Sequence, residues 1–245
     1  MADYEVKGFE EFRHRATDAN LSNNEKSGFP DAFRKDISAN IIQDWEKKIP
    51  SFSLASMNIL DIGPGCSDLP RAFMDYCGGK KHSLTLIDSE EMLGNLPDAN
   101  HVKKIKGLFP DCMEEFSGTS SFDIIIAYSV LQYIFKAGNL FQFIDKAASL
   151  LNEGGYLLLG DIPNSTRRKR FLSSEKGRRY HQQHYDKNGT PKVIFNAIDH
   201  AEIDDGVILG ILFRLRLSGF DCFVMPQSPD LPMANRREDI LIYRP

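Results

Sequence analysis

Residues 57–67 read MNILDIGPGCS and decide the fold class of the chain. A short apolar run leads into two glycines, Gly63 and Gly65, and a helical pattern follows over 68–77. Glycine suits a tight turn, and its bare backbone lets a ligand approach the N–H groups at the start of the helix. The stretch therefore predicts a strand, a ligand-binding loop and a helix, although an ordinary strand-to-helix loop would have the same pattern.

Apolar runs and helical patterns alternate along the rest of the chain. Strands are predicted over 57–62, 83–88, 101–106, 122–128 and 155–160, and helices over 68–77, 89–95, 139–151 and 203–215. Such alternation is typical of a parallel sheet with right-handed crossovers. Two last strands, 220–225 and 239–244, have no helix between them, which predicts an antiparallel final strand. The expected fold class is α/β, with a seven-stranded and mostly parallel sheet.

Two segments stand outside this alternation. The first is an N-terminal helical cap over residues 1–50, with helical patterns at 7–17 and 31–48, ahead of a main domain at 51–245. The second follows the fifth strand and covers about 164–202, where charges are many and apolar periodicity is weak. We expect this basic insertion to form a lid over the substrate side of the fold.

The composition excludes several classes of protein. The chain has 245 residues with 30 basic and 34 acidic side chains, a net charge of −4 and 42% hydrophobic residues, which is typical of a globular protein. It contains no apolar run of about 18 residues that could span a membrane, and the charged start MADYEVKGFEEF does not resemble a secretory signal. Four scattered cysteines predict reduced thiols in a cytoplasmic protein, and the mild acidity argues against a dedicated nucleic-acid binder.

An acidic residue ends the second predicted strand. Asp88 lies 23 residues beyond Gly65, where a carboxylate can accept hydrogen bonds from the hydroxyls of a ribose; it could equally cap the helix that follows. The residue three positions after Gly65 is Asp68, whose charge would repel a diphosphate at the start of that helix. These residues favour S-adenosylmethionine over a nicotinamide dinucleotide.

Four blocks of the sequence resemble, in order and spacing, the class I S-adenosylmethionine-dependent methyltransferases. They are NILDIGPGCSDLP, LTLIDSEEML, FDIIIAYSVLQYI and LLNEGGYLLLGD, over roughly 57–161. The endings LRLSGFDCFV and DILIYRP extend the resemblance to about 203–245. The resemblance implies a Rossmann-like sheet with a reversed last strand and S-adenosylmethionine as the cofactor. A segment beginning DIPNSTRRKRF is also similar to methyltransferases of bacterial surface-polysaccharide and sugar biosynthesis.

The resemblance also implies roles for individual residues. Asp61, Gly63 and Gly65 would line the methionine part of the cofactor, with Tyr128, Ser129 and Leu131 beneath it. Asp88 would hold the ribose, and Ser89 and Met92 would lie beside the adenine. This chain departs from the family pattern at two places. Ser67 replaces a third glycine and either contacts the cofactor carboxylate or caps the helix. Leu108 belongs to an apolar wall where the family often has an acid.

The methyl acceptor is predicted from the segments beyond the cofactor motifs. His181, His184 and Asp161 are candidate general bases, although each could be purely structural. The two histidines share a helical face but lack an evident third ligand, so no metal is predicted. Residues 164–190 hold eight basic against two acidic residues. Candidate substrate-binding residues are Gln132, Arg167, Arg168, Arg170, Arg178 and Arg179.

These features favour a methyltransferase acting on an oxygen or nitrogen of an anionic small molecule, such as a nucleotide-sugar or glycan precursor. An NAD-dependent oxidoreductase and a non-catalytic, cofactor-binding scaffold subunit are the alternatives. A solvated basic loop would produce the same charge pattern in the insertion.

Overall fold

A computed structural model describes residues 8–112, 121–197 and 199–245. Its centre is a seven-stranded sheet in the order β3-β2-β1-β4-β5-β7-β6. The strands are β1 (Asn58–Ile62), β2 (Ser83–Asp88), β3 (Val102–Lys106), β4 (Phe122–Tyr128), β5 (Leu151–Pro163), β6 (Asp221–Pro226) and β7 (Arg237–Tyr243). β7 runs antiparallel to both of its neighbours, and the other pairs are parallel. The predicted fold class is confirmed.

Helices cover both faces of the sheet. In the described residues they are α1 (Phe9–Thr17), α2 (Asn23–Lys26), α3 (Asp31–Arg34), α4 (Ser38–Lys48), α5 (Asp68–Lys80), α6 (Glu90–Gly94), α7 (Leu131–Ala137), α8 (Leu140–Ser149), α9 (Ser165–Ser173), α10 (Glu175–His184) and α11 (Asp205–Leu217), with a 3₁₀ turn at Pro50–Ser53. Alternate residues of a strand face opposite sides of the sheet, so Leu60 packs with the α8 and α11 layer while Ile59 packs with α4 and α5. The run Ile124–Ile126 is fully buried, as expected for a strand covered on both faces.

The N-terminal helical segment differs from the prediction in one respect. The pattern over 31–48 predicts one helix, whereas the structure has α3 and α4 separated at Lys35–Ile37. Asp36 at the break has a φ of 60°, a left-handed conformation that an α-helix cannot continue through. The break matters because it turns Arg34, the last residue of α3, into the protein interior.

The region after β4 also contains more regular structure than the sequence suggests. α7 is unpredicted, and β5 begins at Leu151 and extends beyond the predicted range to Pro163. Two helices, α9 and α10, occupy the basic insertion, where the Asn164 and Ser174 side chains accept hydrogen bonds from the first-turn backbone. Such short polar helices have little apolar periodicity, which explains why the pattern does not reveal them. Within the described part of the chain, no helix is long and apolar enough to cross a membrane.

Candidate functional site

A large cavity opens at the carboxyl ends of β1, β2 and β4. From β1, the chain adds β2 and β3 on one side of the sheet and then β4 and β5 on the other side. The strand order therefore reverses at β1 and β4. Ligands of open α/β sheets bind at such a topological switch point. The cavity has a volume of about 210 Å³ and is open to solvent on one side.

The glycine loop after β1 forms one wall of the cavity. Gly63 and Gly65 have φ values of 72° and 68°, which side-chain-bearing residues adopt only with strain. A Cβ on Gly63 would lie 2.8 Å from Val130 Cγ2, and one on Gly65 would lie 2.7 Å from Ser27 Oγ. The loop therefore forms a cradle in which both positions require glycine, because a side chain would be strained and would clash with its neighbours. Ser67 also lines the cavity.

Asp88 forms the floor at the end of β2. Its Oδ2 accepts a hydrogen bond of 2.9 Å from Gly65 N, and its Oδ1 accepts one of 2.7 Å from Ser89 N. Burial raises the pKa of the Asp88 carboxyl to about 6, although the two N–H donors oppose this effect. The helix-capping role belongs to Ser89 instead, because the Ser89 hydroxyl accepts from Met92 N. Asp88 is thus an ionised acceptor at neutral pH, held in place by two backbone groups and facing the cavity.

An apolar wall completes the β2 and β3 side of the cavity. Met92 of α6 and the loop residues Leu108 and Phe109 contribute to it. Leu108 is partly exposed, whereas Met92 and Phe109 are buried. This surface lies where the sequence predicts an apolar wall in place of an acid, and it could accommodate a flat, weakly polar ring.

The N-terminal segment, which the sequence predicts as a helical cap, roofs the cavity. Gly8, Phe9, Phe12, Ser27 and Phe29 all line it. Phe12 packs edge-to-face on Tyr133 of α7, with ring centroids 4.8 Å apart. These roof residues carry no motif, and only their aromatic character within a polar segment could have drawn attention to them.

Several polar contacts tie this roof to the sheet domain. Arg13 pairs with Glu91 of α6, with Nη2 and Oε1 2.7 Å apart. Asn95 Nδ2 donates to Ala16 O at 3.1 Å. Ser27 Oγ accepts a hydrogen bond of 2.9 Å from Cys66 N in the glycine loop. The roof therefore contacts the same loop that forms the opposite wall.

A buried ion-pair network holds the edge of the cavity beside β4 and β5. Arg34 Nη2 donates to Ser129 Oγ at 2.7 Å and to Asp161 Oδ2 at 2.6 Å. Arg237 Nη1 donates to the same carboxylate oxygen at 2.8 Å, and Gln227 Nε2 donates to the other oxygen at 3.2 Å. Burial alone would raise the pKa of Asp161, but Arg237 and Arg34 hold that pKa below its usual value. Asp161 is therefore a structural anion whose oxygens are already occupied by donors.

The network continues toward α4. The backbone N–H of Asp161 donates to Asp239 Oδ1 at 2.8 Å, and Lys48 Nζ lies 2.5 Å from Asp239 Oδ2. Lys48 also pairs with Asp44. Burial raises the pKa of Asp239, while Lys48 opposes that effect. Three cations and three carboxylates thus connect α3 and α4 to β5 and β7.

Some residues predicted to contact the cofactor do not line the cavity. Asp61 shares the face of β1 with Ile59, under α5, and burial together with the charge of Asp88 raises its pKa to about 8. Ser89 is buried behind Asp88 as a helix cap. Gln132, predicted to bind the substrate, also does not line the cavity, and its Nε2 donates back to Ser129 O at 2.7 Å. The other predicted cofactor residues, Gly63, Gly65, Ser67, Asp88, Met92, Leu108, Tyr128 and Ser129, all line the cavity.

The predicted substrate residues of the insertion lie apart from the cavity lining. Three of the arginines are paired with acids: Arg167 with Glu238, Arg170 with Asp205 and Arg179 with Glu175. Arg168 and Arg178 are exposed. Two of these acids, Glu238 and Asp205, lie outside residues 164–190, so a count of charge along that segment does not detect their neutralising effect.

His181 and His184 lie on α10 and do not line the cavity. The His184 ring stacks on Tyr180, and the His181 ring stacks on Tyr185. His184 Nδ1 also lies 2.9 Å from the backbone oxygen of Tyr180. No group of three potential ligands for a metal ion is present in the described residues.

No family model matches the sequence, and no curated protein is significantly similar to it. Solved structures are similar in fold. One is the plantazolicin methyltransferase BamL in complex with a triazolic desmethylPZN analog and SAH, which is 13% identical to this chain in sequence. The superposition covers 97% of this chain and 98% of BamL, with a TM-score of 0.60. Another is the N-methyltransferase NodS from Bradyrhizobium japonicum WM9 in complex with S-adenosyl-L-homocysteine (SAH), which is 17% identical in sequence. The superposition covers 96% of this chain and 97% of NodS, with a TM-score of 0.54.

The glycopeptide N-methyltransferase MtfA, complexed with sinefungin, has 14% identity, with 87% of this chain and 96% of that chain covered and a TM-score of 0.52. At such identities the likeness concerns the fold. The strand order with a reversed last strand and the similarity along nearly the whole chain show that the protein shares the Rossmann-like fold of these solved structures.

Proposed function

We propose that the protein is an S-adenosylmethionine-dependent methyltransferase. The observation that carries the proposal is the pairing of the Gly63 and Gly65 cradle with the Asp88 carboxylate in one cavity at the switch point of the sheet. A nucleoside fits this site, because an ionised carboxylate at the end of β2 can accept hydrogen bonds from two ribose hydroxyls. The BamL and NodS structures that share the fold contain SAH, which supports the same cofactor here.

The residues present fit S-adenosylmethionine along its whole length. Asp88 would hold the ribose, and the wall of Met92 and Leu108 would contact the adenine. Gly63, Gly65 and Ser129 would surround the methionine part. The bound cofactor supplies an electrophilic methyl group, so the protein itself has to align the acceptor and exclude water. The aromatic roof would perform that exclusion.

The same geometry disfavours a nicotinamide dinucleotide. A diphosphate would require free N–H groups in the glycine loop at the start of α5. The N–H of Gly65 is bonded to Asp88, and that of Cys66 is bonded to Ser27 Oγ. Asp68 adds a negative charge in the first turn of α5. Two loop N–H groups are thus engaged within the chain, and the charge of Asp68 opposes a diphosphate at the start of α5.

For the acceptor, we infer an oxygen or nitrogen atom of an anionic small molecule, for which a nucleotide-sugar or glycan precursor is one example. Exposed Arg168 and Arg178 in the insertion support this inference. NodS and MtfA are named as N-methyltransferases, which favours nitrogen as the accepting atom. The cavity wall near Phe12, Phe29 and Tyr133 is aromatic, so the accepting group itself would enter between rings.

Calorimetric titration tests the cofactor assignment directly. We expect S-adenosylmethionine and SAH to bind with micromolar affinity and NADH to release no heat. Asp88→Ala should weaken cofactor binding at least tenfold, because charge-assisted hydrogen bonds contribute about 1.5–3 kcal/mol. Asp98→Ala, at an exposed acid just beyond α6, is the matched control and should bind as the native chain does. Tight NADH binding, or unchanged binding by Asp88→Ala, would overturn the proposal.

A second measurement separates an enzyme from a non-catalytic scaffold. Transfer of a labelled methyl group to candidate acceptors, with and without a phosphate or carboxylate on the same acceptor, reports both activity and the preference for charge. Cofactor binding without transfer to any member of such a panel would favour the scaffold alternative. Equal transfer to charged and neutral acceptors would contradict the anionic acceptor while leaving the methyltransferase assignment intact.

A further inference from the structure

Apart from Asp205, Arg214 and Arg216, helix α11 is apolar on its exposed side as well as on its buried side. Ile208, Ile211, Leu212 and Leu215 pack against the sheet. On the opposite side, Leu209, Phe213 and Leu217 are 61%, 68% and 74% exposed. A helix that is apolar all round is normally buried on all sides. The outer side of α11 therefore carries the sequence pattern of a covered surface.

The exposed residues form one continuous patch. Leu209, Phe213 and Leu217 are spaced four residues apart, so they follow one another along a single helix face. Phe141 of α8, 40% exposed, extends the patch sideways, with the Arg214 guanidinium 5.0 Å from its ring centroid. Scattered exposed apolar residues are common on proteins, but contiguous patches mark interaction sites. We name these four residues the α11 face.

Charge and shape indicate what covers the α11 face. Acidic Asp204 and Asp205 lie at the start of the helix, and basic Arg214 and Arg216 lie near its end. Asp205 also pairs with Arg170 and Arg214 with Asp145, so Asp204 and Arg216 supply the remaining charge at each end. Two copies of the helix related by a two-fold axis and running antiparallel would place each acidic end beside the partner's basic end. A parallel arrangement would instead bring like charges together.

The face also has the alternation of large and small residues that a two-fold contact requires. Gly210 has no atom within 4 Å of the position of a Cβ, so open space lies above it. One turn away, Phe213 projects from the surface. In a two-fold interface the same patch meets itself, so a projection on one copy needs a recess on the other. Phe213 and the space over Gly210 supply such a pair.

We propose that the protein forms a two-fold homodimer through the α11 face, with α11 antiparallel to its counterpart and Phe213 seated over the partner's Gly210. The inference does not depend on the proposed function, because the face lies on α11 and α8 and shares no residue with the cavity of the candidate site. The accompanying rim pair, Arg214 with Asp145, has 2.5 Å between Nη2 and Oδ2 and flanks the patch.

Sedimentation velocity from 1 to 100 µM tests the proposal. We expect the full chain to sediment with twice its 27.7 kDa mass. Phe213→Lys should raise the dimer dissociation constant at least 100-fold, because it places cations beside the Arg214 of both copies. Phe223→Lys is the matched control, since Phe223 is 48% exposed on edge strand β6, and it should leave the dimer unchanged. Circular dichroism melts establish that both variants fold.

Crosslinking tests the helix geometry separately. Gly210→Cys, where a side chain meets open space, should give a crosslinked dimer with a short bis-maleimide. Gly79→Cys, at an exposed helical glycine of α5 with equally open space, should stay at the background set by the native thiols. A monomer at 100 µM, or a dimer insensitive to Phe213→Lys, would overturn the proposal. The proposal would also be overturned if the protein were a monomer that sediments with phosphatidylcholine–phosphatidylglycerol vesicles and Phe213→Lys abolished that co-sedimentation. That result would assign the α11 face to a lipid surface.

Discussion

Replacing Gly65 by alanine should expose the contact between the N-terminal roof and the glycine loop. Gly65 has a φ of 68°, and an added Cβ would lie 2.7 Å from Ser27 Oγ and 3.1 Å from Ser27 Cβ. Ser27 cannot remain in place, although its Oγ is the acceptor for Cys66 N at 2.9 Å. The variant therefore perturbs two residues that are 38 positions apart in the sequence.

Two costs add up in Gly65→Ala. A residue with a side chain in the left-handed region costs about 1–2 kcal/mol. Displacing Ser27 leaves the buried Cys66 N–H without its acceptor, which costs about 1–3 kcal/mol. We expect the free energy of unfolding to fall by about 2–5 kcal/mol, the sum of these two terms.

The variant Ser27→Gly separates the two costs. Alone, it removes the acceptor and should lose only the hydrogen-bond term. In the double variant, the Cβ added at position 65 no longer meets the Ser27 side chain, so the clash is removed. Each single variant loses the hydrogen bond from Cys66 N, and the double variant loses the same bond only once. The double variant should then be more stable than the sum of the single effects predicts, with a coupling of about 1–3 kcal/mol.

Urea unfolding followed by circular dichroism measures all four proteins. Gly154→Ala is the matched control, because Gly154 has a φ of 76° but no atom within 4 Å of its Cβ position. It should cost only the conformational term and show no coupling to Ser27→Gly. Additive effects of Gly65→Ala and Ser27→Gly, within about 0.5 kcal/mol, would refute the docking of the roof on the glycine loop.

Three further predictions concern the buried charges. Arg34→Met should lower the free energy of unfolding in urea by about 3 kcal/mol, because it breaks a buried ion pair while Arg237 still partners Asp161; no loss would contradict the network. Asp61, with a pKa raised to about 8, holds a proton in the folded state that the unfolded chain releases above about pH 4. Native stability should therefore fall as pH rises from about 4 to 8, and urea midpoints of Asp61→Asn should lack this decline; parallel pH profiles would contradict the assignment. Asp88, with a pKa of about 6, should bind S-adenosylmethionine more weakly as pH falls below 6, approaching tenfold per pH unit in calorimetry; an equal pH dependence in Asp88→Asn would show that another group titrates.

The dimer proposal and the methyltransferase proposal can fail independently. Cofactor titration reports on Asp88 and the glycine loop, whereas sedimentation reports on the α11 face. Phe213→Lys lies outside the cavity lining and should leave cofactor affinity unchanged. Conversely, Asp88→Ala should leave the sedimentation profile of the native chain intact.

The parts of the fold that were predictable from the sequence have local physical causes. The run at 57–62, the glycines at 63 and 65, and Asp88 at the end of β2 each follow from short-range patterns of burial and turn geometry. Alternating strands and helices then leave few topologies open, which is why the reversed last strand was also predicted correctly. The break of the helix at Asp36 and the two polar helices of the insertion lacked such periodic patterns.

The sequence by itself therefore determined the class of fold, the glycine loop and the acid at the end of β2. The tertiary structure alone decided the rest of the candidate site. Arg34 meets Asp161 across 127 positions, and Lys48 meets Asp239 across 191. No local pattern marks such partners, because a buried charge is selected by what faces it in space. The same reason accounts for the aromatic roof and for the paired arginines of the insertion, whose neutralising acids come from distant parts of the chain.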